Sequence, residues 1–373
     1  MGPLKGYKII EIAGIGPSQF CGMLLADMGA ELIRLERPLI EDLGVAMPAK
    51  FNLTNRSRPT IAVDLKTGQG TKLVLRLCED ADAIFEGFRP GVMERLGLGP
   101  VQCMARNPRL VYGRMTGWGQ NGPLADTAGH DPNYIALAGA LACIGEKDGD
   151  PVYPMNLIGD FGGGGAYLAI GLLAAMLETT KSGKGQVVDA AMVDGVASLM
   201  TFIIGLQKGG LWSNVRGSNI LDGGAPFART YRTSDCKHIV VAPIENRFFR
   251  ELLGKLEIDD IDASRQLDPS YWPAIEARLA EVFRQRTRDE WCDLLEGTDT
   301  CFAPVLNLAE APGHPHNIAR KNHVQVDGIL QPAPAPRFSR TASAIQCPPA
   351  EHQPAAPVLG KWGLSKEEID NLL

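Results

Sequence analysis

The stretch Tyr7-Lys8-Ile9-Ile10-Glu11-Ile12-Ala13-Gly14-Ile15-Gly16-Pro17-Ser18-Gln19-Phe20 decides the fold class. Tyr7–Ile12 is a short apolar run of the kind that forms a buried strand. Pro17 then stands in the first turn of a helix that runs to Met28, with Gly29 just past its end. Glu31–Leu35 is the next strand. The same alternation continues with strand Thr60–Val63, helix Gly70–Cys78, strand Ala83–Phe85, a short helix at Val92–Leu96 and strand Leu110–Met115. Repeated strand–helix–strand units cross over right-handedly and build a parallel sheet covered on both faces, an α/β architecture. Such sheets bind ligands at the carboxyl ends of their strands. The first strand–helix turn starts as GxG, but a proline follows and the third glycine of the dinucleotide fingerprint is missing, which speaks against a nicotinamide or flavin cofactor.

Beyond this region the pattern changes twice. Residues 160–210 are small and apolar, with Gly162-Gly163-Gly164-Gly165 ahead of helical spacing through Met176 and a second apolar run at Val187–Leu206. Four bare glycines serve tight helix packing or a ligand lying against the main chain equally well. From about residue 226 a second, smaller α+β domain is expected: strand Ile239–Ile244, helices Arg247–Leu256 and Pro273–Arg286, a helix opened by the capping box Thr287-Arg288-Asp289-Glu290, and a returning strand Thr300–Val305. The prolines of 331–358 suit an extended tether. A last helix is capped by Ser365 and Glu368, with Leu364 facing Ile369.

Composition narrows the function. The 373 residues are 45% hydrophobic and 21% charged with a net charge of −6, so the chain is globular and lacks the dense cationic face a nucleic-acid binder needs. The eight cysteines show neither CxxC pairs nor a neighbouring histidine pair, which argues against a metal site and for a reducing compartment. Met1–Gly6 runs straight into a strand without a secretory signal, and Asp370-Asn371-Leu372-Leu373 is not a peroxisomal SKL address. The apolar stretches Ala166–Leu177 and Ala197–Leu206 are too short or interrupted to span a bilayer, so no membrane insertion is expected. The expected location is intracellular, in the cytoplasm, with peroxisome and mitochondrion left open.

Catalysis is then expected from side chains. Histidine titrates near neutrality unaided. His314, His316, His323 and His352 lie in loop-like sequence, and His238 begins a strand. His130 differs: Ala128-Gly129-His130-Asp131-Pro132-Asn133-Tyr134 sets it just ahead of an apolar helix at Ile135–Leu141, where free N–H groups favour an oxyanion. Asp160, in Met155-Asn156-Leu157-Ile158-Gly159-Asp160-Phe161-Gly162, reads either as an N-cap for a helix over 162–176 or as a functional carboxylate. Glu245, in Pro243-Ile244-Glu245-Asn246, has the place of a helix-start carboxylate.

At these segments the chain resembles the α-methylacyl-CoA racemases, within the class III, formyl-CoA-transferase-like CoA transferases. The resemblance is carried in family order by Phe88-Arg89-Pro90-Gly91-Val92, Gly129–Tyr134, Asn156–Gly164, Gly183-Lys184-Gly185-Gln186-Val187-Val188-Asp189-Ala190, Leu221-Asp222-Gly223-Gly224-Ala225-Pro226, Ala242-Pro243-Ile244-Glu245 and Pro334–Thr341. It implies a Rossmann-like large domain with a parallel sheet plus a smaller α+β domain, in an interlocked homodimer. The implied boundaries are 1–190 for the CoA-binding domain, 191–225 for a linker helix and loop, 226–320 for the small domain, and 321–373 for a return segment and terminal helix. It also implies epimerisation of 2-methylacyl-CoA thioesters with no cofactor beyond the CoA of the substrate.

By the same resemblance His130 and Asp160 are the two bases, and Glu245 of the other chain orients the His130 ring. Asn156 hydrogen-bonds Asp160, and backbone N–H groups around Asp131 hold the enolate oxygen. The implied CoA contacts are Arg37, Val63, Asp64, Leu65, Lys66, Gly87, Phe88, Arg89, Arg95, Gly129, Pro132, Asn133 and Tyr134. Met192 and Met200 suit either an acyl surface or core packing. The competing reading is CoA transfer to a carboxylic acid through a mixed anhydride on Asp160; a non-catalytic CoA carrier would need neither base.

Overall fold

The computed structural model describes residues 2–39 and 47–372. Met1 and Leu373, which bounded the reading of the termini, lie outside the described residues. The chain divides into two compact units: Met1–Ala138, Pro154–Met200 and Lys321–Leu373 form the first, and Gly139–Tyr153 with Thr201–Arg320 form the second. Gly139–Tyr153 thus belongs with the second unit, although the sequence expectation placed it in a continuous 1–190 domain.

The first unit is built on six parallel strands. They are β1 (Lys8–Ile12), β2 (Glu31–Glu36), β3 (Thr60–Ala62), β4 (Ala83–Glu86), β5 (Val111–Thr116) and β6 (Val187–Ala191), in the spatial order β3-β2-β1-β4-β5-β6. This is the doubly wound order, whose direction reverses between β1 and β4. The crossovers are α1 (Pro17–Asp27), α2 (Gly68–Cys78), the pair α3 (Val92–Arg95) and α4 (Pro100–Arg106), and, after β5, α5 (Asp131–Leu137) with α6 (Tyr167–Ser182); α7 (Met192–Leu199) follows β6 without a loop. One face of the sheet packs Ile10, Ile33, Leu73, Leu77 and Tyr112 against Leu359 and Trp362 of the chain's last segment. The other packs Ile9, Phe85 and Val111 against Leu25, Leu168 and Leu172. Sequence reading missed α4, and it took the sixth strand for part of an apolar run.

Two further expectations are corrected. The helix carrying the glycine run begins at Met155 rather than near residue 162, and Ile158–Ala166 is a π-helical turn that leads directly into α6. Asp160 therefore lies inside the helix and is not its cap. As a result Met155–Ser182 is one run long and apolar enough, by length and composition alone, to cross a membrane, and about two fifths of its most apolar window is buried. In this unit Gly163 abuts Val196 of α7, and Gly165 abuts Pro17 and Phe20 of α1. The proline-rich segment is docked and not a free tether. The Ser57 N–H donates to the Cys347 carbonyl at 2.9 Å, and the Gln353 N–H to the Thr60 carbonyl at 2.7 Å. The terminal capping box is present: the Ser365 N–H donates to Glu368 Oε2 at 2.7 Å, and the Glu368 N–H to Ser365 Oγ at 3.2 Å.

The second unit contains α8 (Thr201–Lys208), an antiparallel sheet in the order β7 (Arg229–Arg232), β8 (His238–Val241), β9 (Phe302–Pro304), and helices α9 (Asn246–Lys255), α10 (Trp272–Phe283) and α11 (Arg288–Leu295). Its core joins Phe227, Ile239, Phe249, Leu279 and Trp291. The Thr287–Glu290 capping box forms as its sequence requires. Strand β7 was not foreseen.

Under the carboxyl end of β1 lies a buried charge cluster. Glu11 is fully enclosed; its Oε2 accepts from Arg58 Nε at 2.6 Å and its Oε1 from Arg34 Nε at 3.1 Å. Arg58 also donates to the carbonyls of Thr54 and Gln19, and Arg34 reaches the Gly14 carbonyl at 3.4 Å. Removing one partner of such a group strands a charge in the interior. Glu11→Ala is expected to lower stability by about 3–5 kcal/mol, read as a shift in the urea midpoint at unchanged slope; an unshifted midpoint would contradict this account of the cluster.

Candidate active site

At the reversal of the sheet, the turns after β1, β4 and β5 enclose a cleft of about 380 Å³. Its wall includes Gly16 and Pro17 after β1, Gly87 and Arg89 after β4, and Gly117 and Trp118 after β5. His130, Tyr134 and Asp160 face the same space.

His130 is the N-cap of α5, with extended backbone (φ −134°). The helix therefore starts at Asp131, four residues before the sequence expectation, which sets the imidazole at the helix mouth. The Asn133 side chain fixes this start, its Oδ1 accepting the His130 N–H at 3.0 Å. Pro132 fits the first turn because its missing N–H is not needed there. Next to the exposed His130 comes Asp131, 1% exposed. Asp131 Oδ2 accepts the backbone N–H of Asp160 at 2.7 Å, and its Oδ1 is buried without a hydrogen-bond partner. Burial raises the Asp131 pKa, against the pull of the Asp160 and Gly159 N–H groups. A side chain on Gly159 would put its Cβ 2.6 Å from Asp131 Oδ2, so glycine is required there.

Asp160 is half-buried, and its Oδ2 accepts from Asn156 Nδ2 at 3.0 Å across one turn of the helix. Burial raises its pKa above the usual carboxylate range. The Asn156 bond pulls the other way, nearby Asp131 adds to the rise, and His130 opposes it. Gly16, held at φ +57°, borders this carboxylate so closely that a Cβ would sit 2.9 Å from Asp160 Oδ2. Tyr134 donates its hydroxyl to the Gly129 carbonyl and meets the Trp118 ring edge-on at 4.8 Å. Burial, then the Asp160 charge, push the Tyr134 hydroxyl up to about 12, so it stays protonated at neutral pH.

The structure thus lines the cleft with His130, Asp160, Gly87, Phe88, Arg89, Gly129 and Tyr134, while Asp131 and Asn156 are joined to Asp160 by hydrogen bonds, and Pro132 and Asn133 stand in the first turn of α5. Arg37 follows β2, and Val63, Asp64, Leu65 and Lys66 follow β3, where Asp64 Oδ1 accepts the Lys66 N–H at 3.0 Å. Arg95 closes α3. The residues after β2 and β3 thus follow the carboxyl ends of their strands, and neither they nor Arg95 are among the cleft's lining residues. Glu245 belongs to the second unit, where it is exposed as the N-cap of α9. Met192 lines the cleft, though only 7% exposed. Sequence reading missed Ile15, Gly16, Pro17 and Ser18 as cleft residues. The signal was present, since the turn after the first strand borders the reversal point whether or not it fits a nucleotide fingerprint.

Comparison with known proteins gives the family and the fold. Residues 4–361 match the description of CoA-transferase family III. The chain belongs to this family. It is 42% identical over 373 residues to a Mus musculus protein named alpha-methylacyl-CoA racemase, covering 98% of this chain and 95% of that one. It is 38% identical over 374 residues to the Homo sapiens protein of the same name, covering 99% and 96%. Among solved structures, a CAIB/BAIF family protein from Brucella suis superposes with a TM-score of 0.81 at 26% identity, covering 97% of this chain and 99% of that one.

The raised pKa of Asp160 has a consequence for stability. A carboxyl group whose pKa is higher in the folded state adds nothing unfavourable below its unfolded pKa. Its penalty builds as pH rises through the folded value. Asp160→Asn is therefore expected to unfold at a higher temperature than the native chain at pH 7, with the difference vanishing toward about pH 3. Equal melting temperatures across that range would refute the burial argument.

Proposed function

We propose that this chain is an isomerase that inverts the α-carbon of 2-methylacyl-CoA thioesters by two-base proton transfer. The observation that carries the proposal is that His130 and Asp160, from different elements, face one cleft at the reversal of the sheet. The high identity to racemases over nearly the whole chain supports the same reading.

The chemistry follows from the groups available. A thioester carbonyl delocalises an α-carbanion as an enolate, so a base of ordinary strength can remove the α-proton. For one enantiomer the neutral imidazole of His130 takes it. The carboxylic acid of Asp160 then returns a proton to the other side of the carbon, and for the opposite enantiomer the roles reverse. Asp160 can donate only when protonated, and burial favours that form. The Asp131 N–H at the start of α5 is the proposed donor to the enolate oxygen. CoA enters and leaves as part of the substrate, its phosphates held by Arg37, Lys66, Arg89 and Arg95, since arginine forks match phosphate oxygens.

The working form is an interlocked homodimer in which the partner chain's small domain supplies Glu245, which orients the His130 ring. Exposed apolar side chains on the first unit support association: Leu137, Met155, Ile170 and Leu177 are each more than 60% exposed.

Incubating the protein with one enantiomer of a 2-methylacyl-CoA in deuterated buffer, without any acceptor acid, is expected to give α-deuteration with loss of optical purity. His130→Ala should slow this exchange about 10²–10⁴-fold while CoA still binds. Reaction only after addition of a carboxylic acid such as succinate would instead assign CoA transfer through an anhydride on Asp160.

A further inference from the structure

The wall of the cleft between β4 and α3 is a tight turn of residues 87–91, of which Gly87, Phe88, Arg89 and Pro90 line the cleft. It closes on Gly91 at φ +77°. Proton exchange gives no reason for the charges found beneath it. Glu86, the last residue of β4, is 1% exposed and accepts the Phe88 N–H at 2.7 Å. Arg114 is the register partner of Glu86 on β5. Its Nε lies 3.4 Å from Glu86 Oε1, and its two terminal nitrogens fork onto Glu94 of α3 at 2.8 and 3.2 Å. One guanidinium thus forks onto Glu94 by two hydrogen bonds and stands within ion-pair range of Glu86, its Nε making no hydrogen bond.

We propose that Arg114, acting through Glu86 and Glu94, is a positioning residue for the CoA part of the substrate. It fixes the turn that carries Arg89, and the short helix that carries Arg95, at the spacing the CoA phosphates require. This rests on the reading above that these two arginines grip CoA. A bidentate arginine–carboxylate pair defines direction as well as distance. Without it Glu86 would be a buried carboxylate lacking its counter-charge, and the Phe88 N–H would lose its anionic acceptor. The groups facing the cluster are Tyr112 on β5 and Asp189 on β6, which both feel the Arg114 charge, with the Cys103 thiol on α4 beyond Tyr112. Burial pushes the Glu86 carboxyl up to about 7, against the pull of the Phe88 N–H and Arg114. The clamp is therefore fully charged only on the alkaline side of neutrality.

The test titrates free CoA into the full-length protein by calorimetry and follows α-deuteration in parallel. Arg114→Met is expected to weaken CoA binding about tenfold and raise KM to match, with kcat within about threefold of the native value. Glu94→Gln, on a partly exposed partner, should weaken binding a few-fold, and Arg114→Lys, which can reach only one carboxylate, should restore part of what Met loses. From about pH 8 to about pH 6 the native protein should lose more CoA affinity than Glu86→Gln does; the titration of CoA itself is common to both. Unchanged CoA affinity in Arg114→Met and Glu94→Gln overturns the proposal, as does a fall in kcat at constant KM. Should Arg114→Met fail to fold, Glu94→Gln and Glu86→Gln decide it by the same binding measurement. If the affinities shift as expected but native protein exchanges no deuterium, the positioning role stands and the racemase reading falls.

Discussion

One buried carboxylate joins the two halves of the site. Asp131 follows His130 directly in sequence, and its Oδ2 accepts the backbone N–H of Asp160. A single side chain therefore ties the start of α5 to the π-helical turn, and the imidazole of one and the carboxyl group of the other line the same cleft. The bond needs Gly159, because any β-carbon there would occupy the space of Asp131 Oδ2. It also leaves Asp131 Oδ1 buried and unpartnered, which costs about 1–3 kcal/mol. The position in the first turn of α5 offsets part of this, since a helix start favours negative charge.

The place of that bond follows from the sheet. Where strand order reverses between β1 and β4, the crossovers leave to opposite faces and their turns part, opening a crevice. The turn after β1 must then pass close to Asp160, which the backbone at Gly16 allows and a larger residue would prevent. Beneath it, Arg34 reaches from the Glu11 cluster to the Gly14 carbonyl. Charges sealed in the sheet thus hold the backbone from which the cleft is built. On the other side of the crevice it is Glu86, with Arg114 as its counter-charge, that accepts the Phe88 N–H of the turn after β4.

Much of this was legible in the chain. Buried parallel strands are apolar runs, and β1 to β5 were visible because each is followed by a glycine, a proline or an amphipathic helix that marks its end. β6 was not, because Val187–Ala191 passes into α7 without a turn residue. The π-helical turn was hidden too: four glycines state that side chains are absent, not how the backbone winds. Buried ions such as Glu11 with Arg58 depend on partners far apart in sequence, and composition carries no trace of such pairing. In the site, His130 and Asp160 stood out as polar groups set among glycines. The turn at Gly16 was tested only as a nucleotide fingerprint, so its closeness to Asp160 went unread.

The same frame is compatible with two reactions, and the charge state of one group separates them. A carboxylate at Asp160 is a nucleophile toward the thioester carbonyl, whereas a carboxylic acid there is a proton donor toward the α-carbon. Burial and the neighbouring Asp131 favour the acid; Asn156 and a charged His130 favour the carboxylate. Proton exchange needs both forms within one catalytic cycle, because each direction of inversion begins with the opposite form. A site with opposing influences suits that demand better than one that holds Asp160 permanently ionised. The proposed two-base inversion requires a second base, the role assigned to His130, while anhydride formation has no step that requires one.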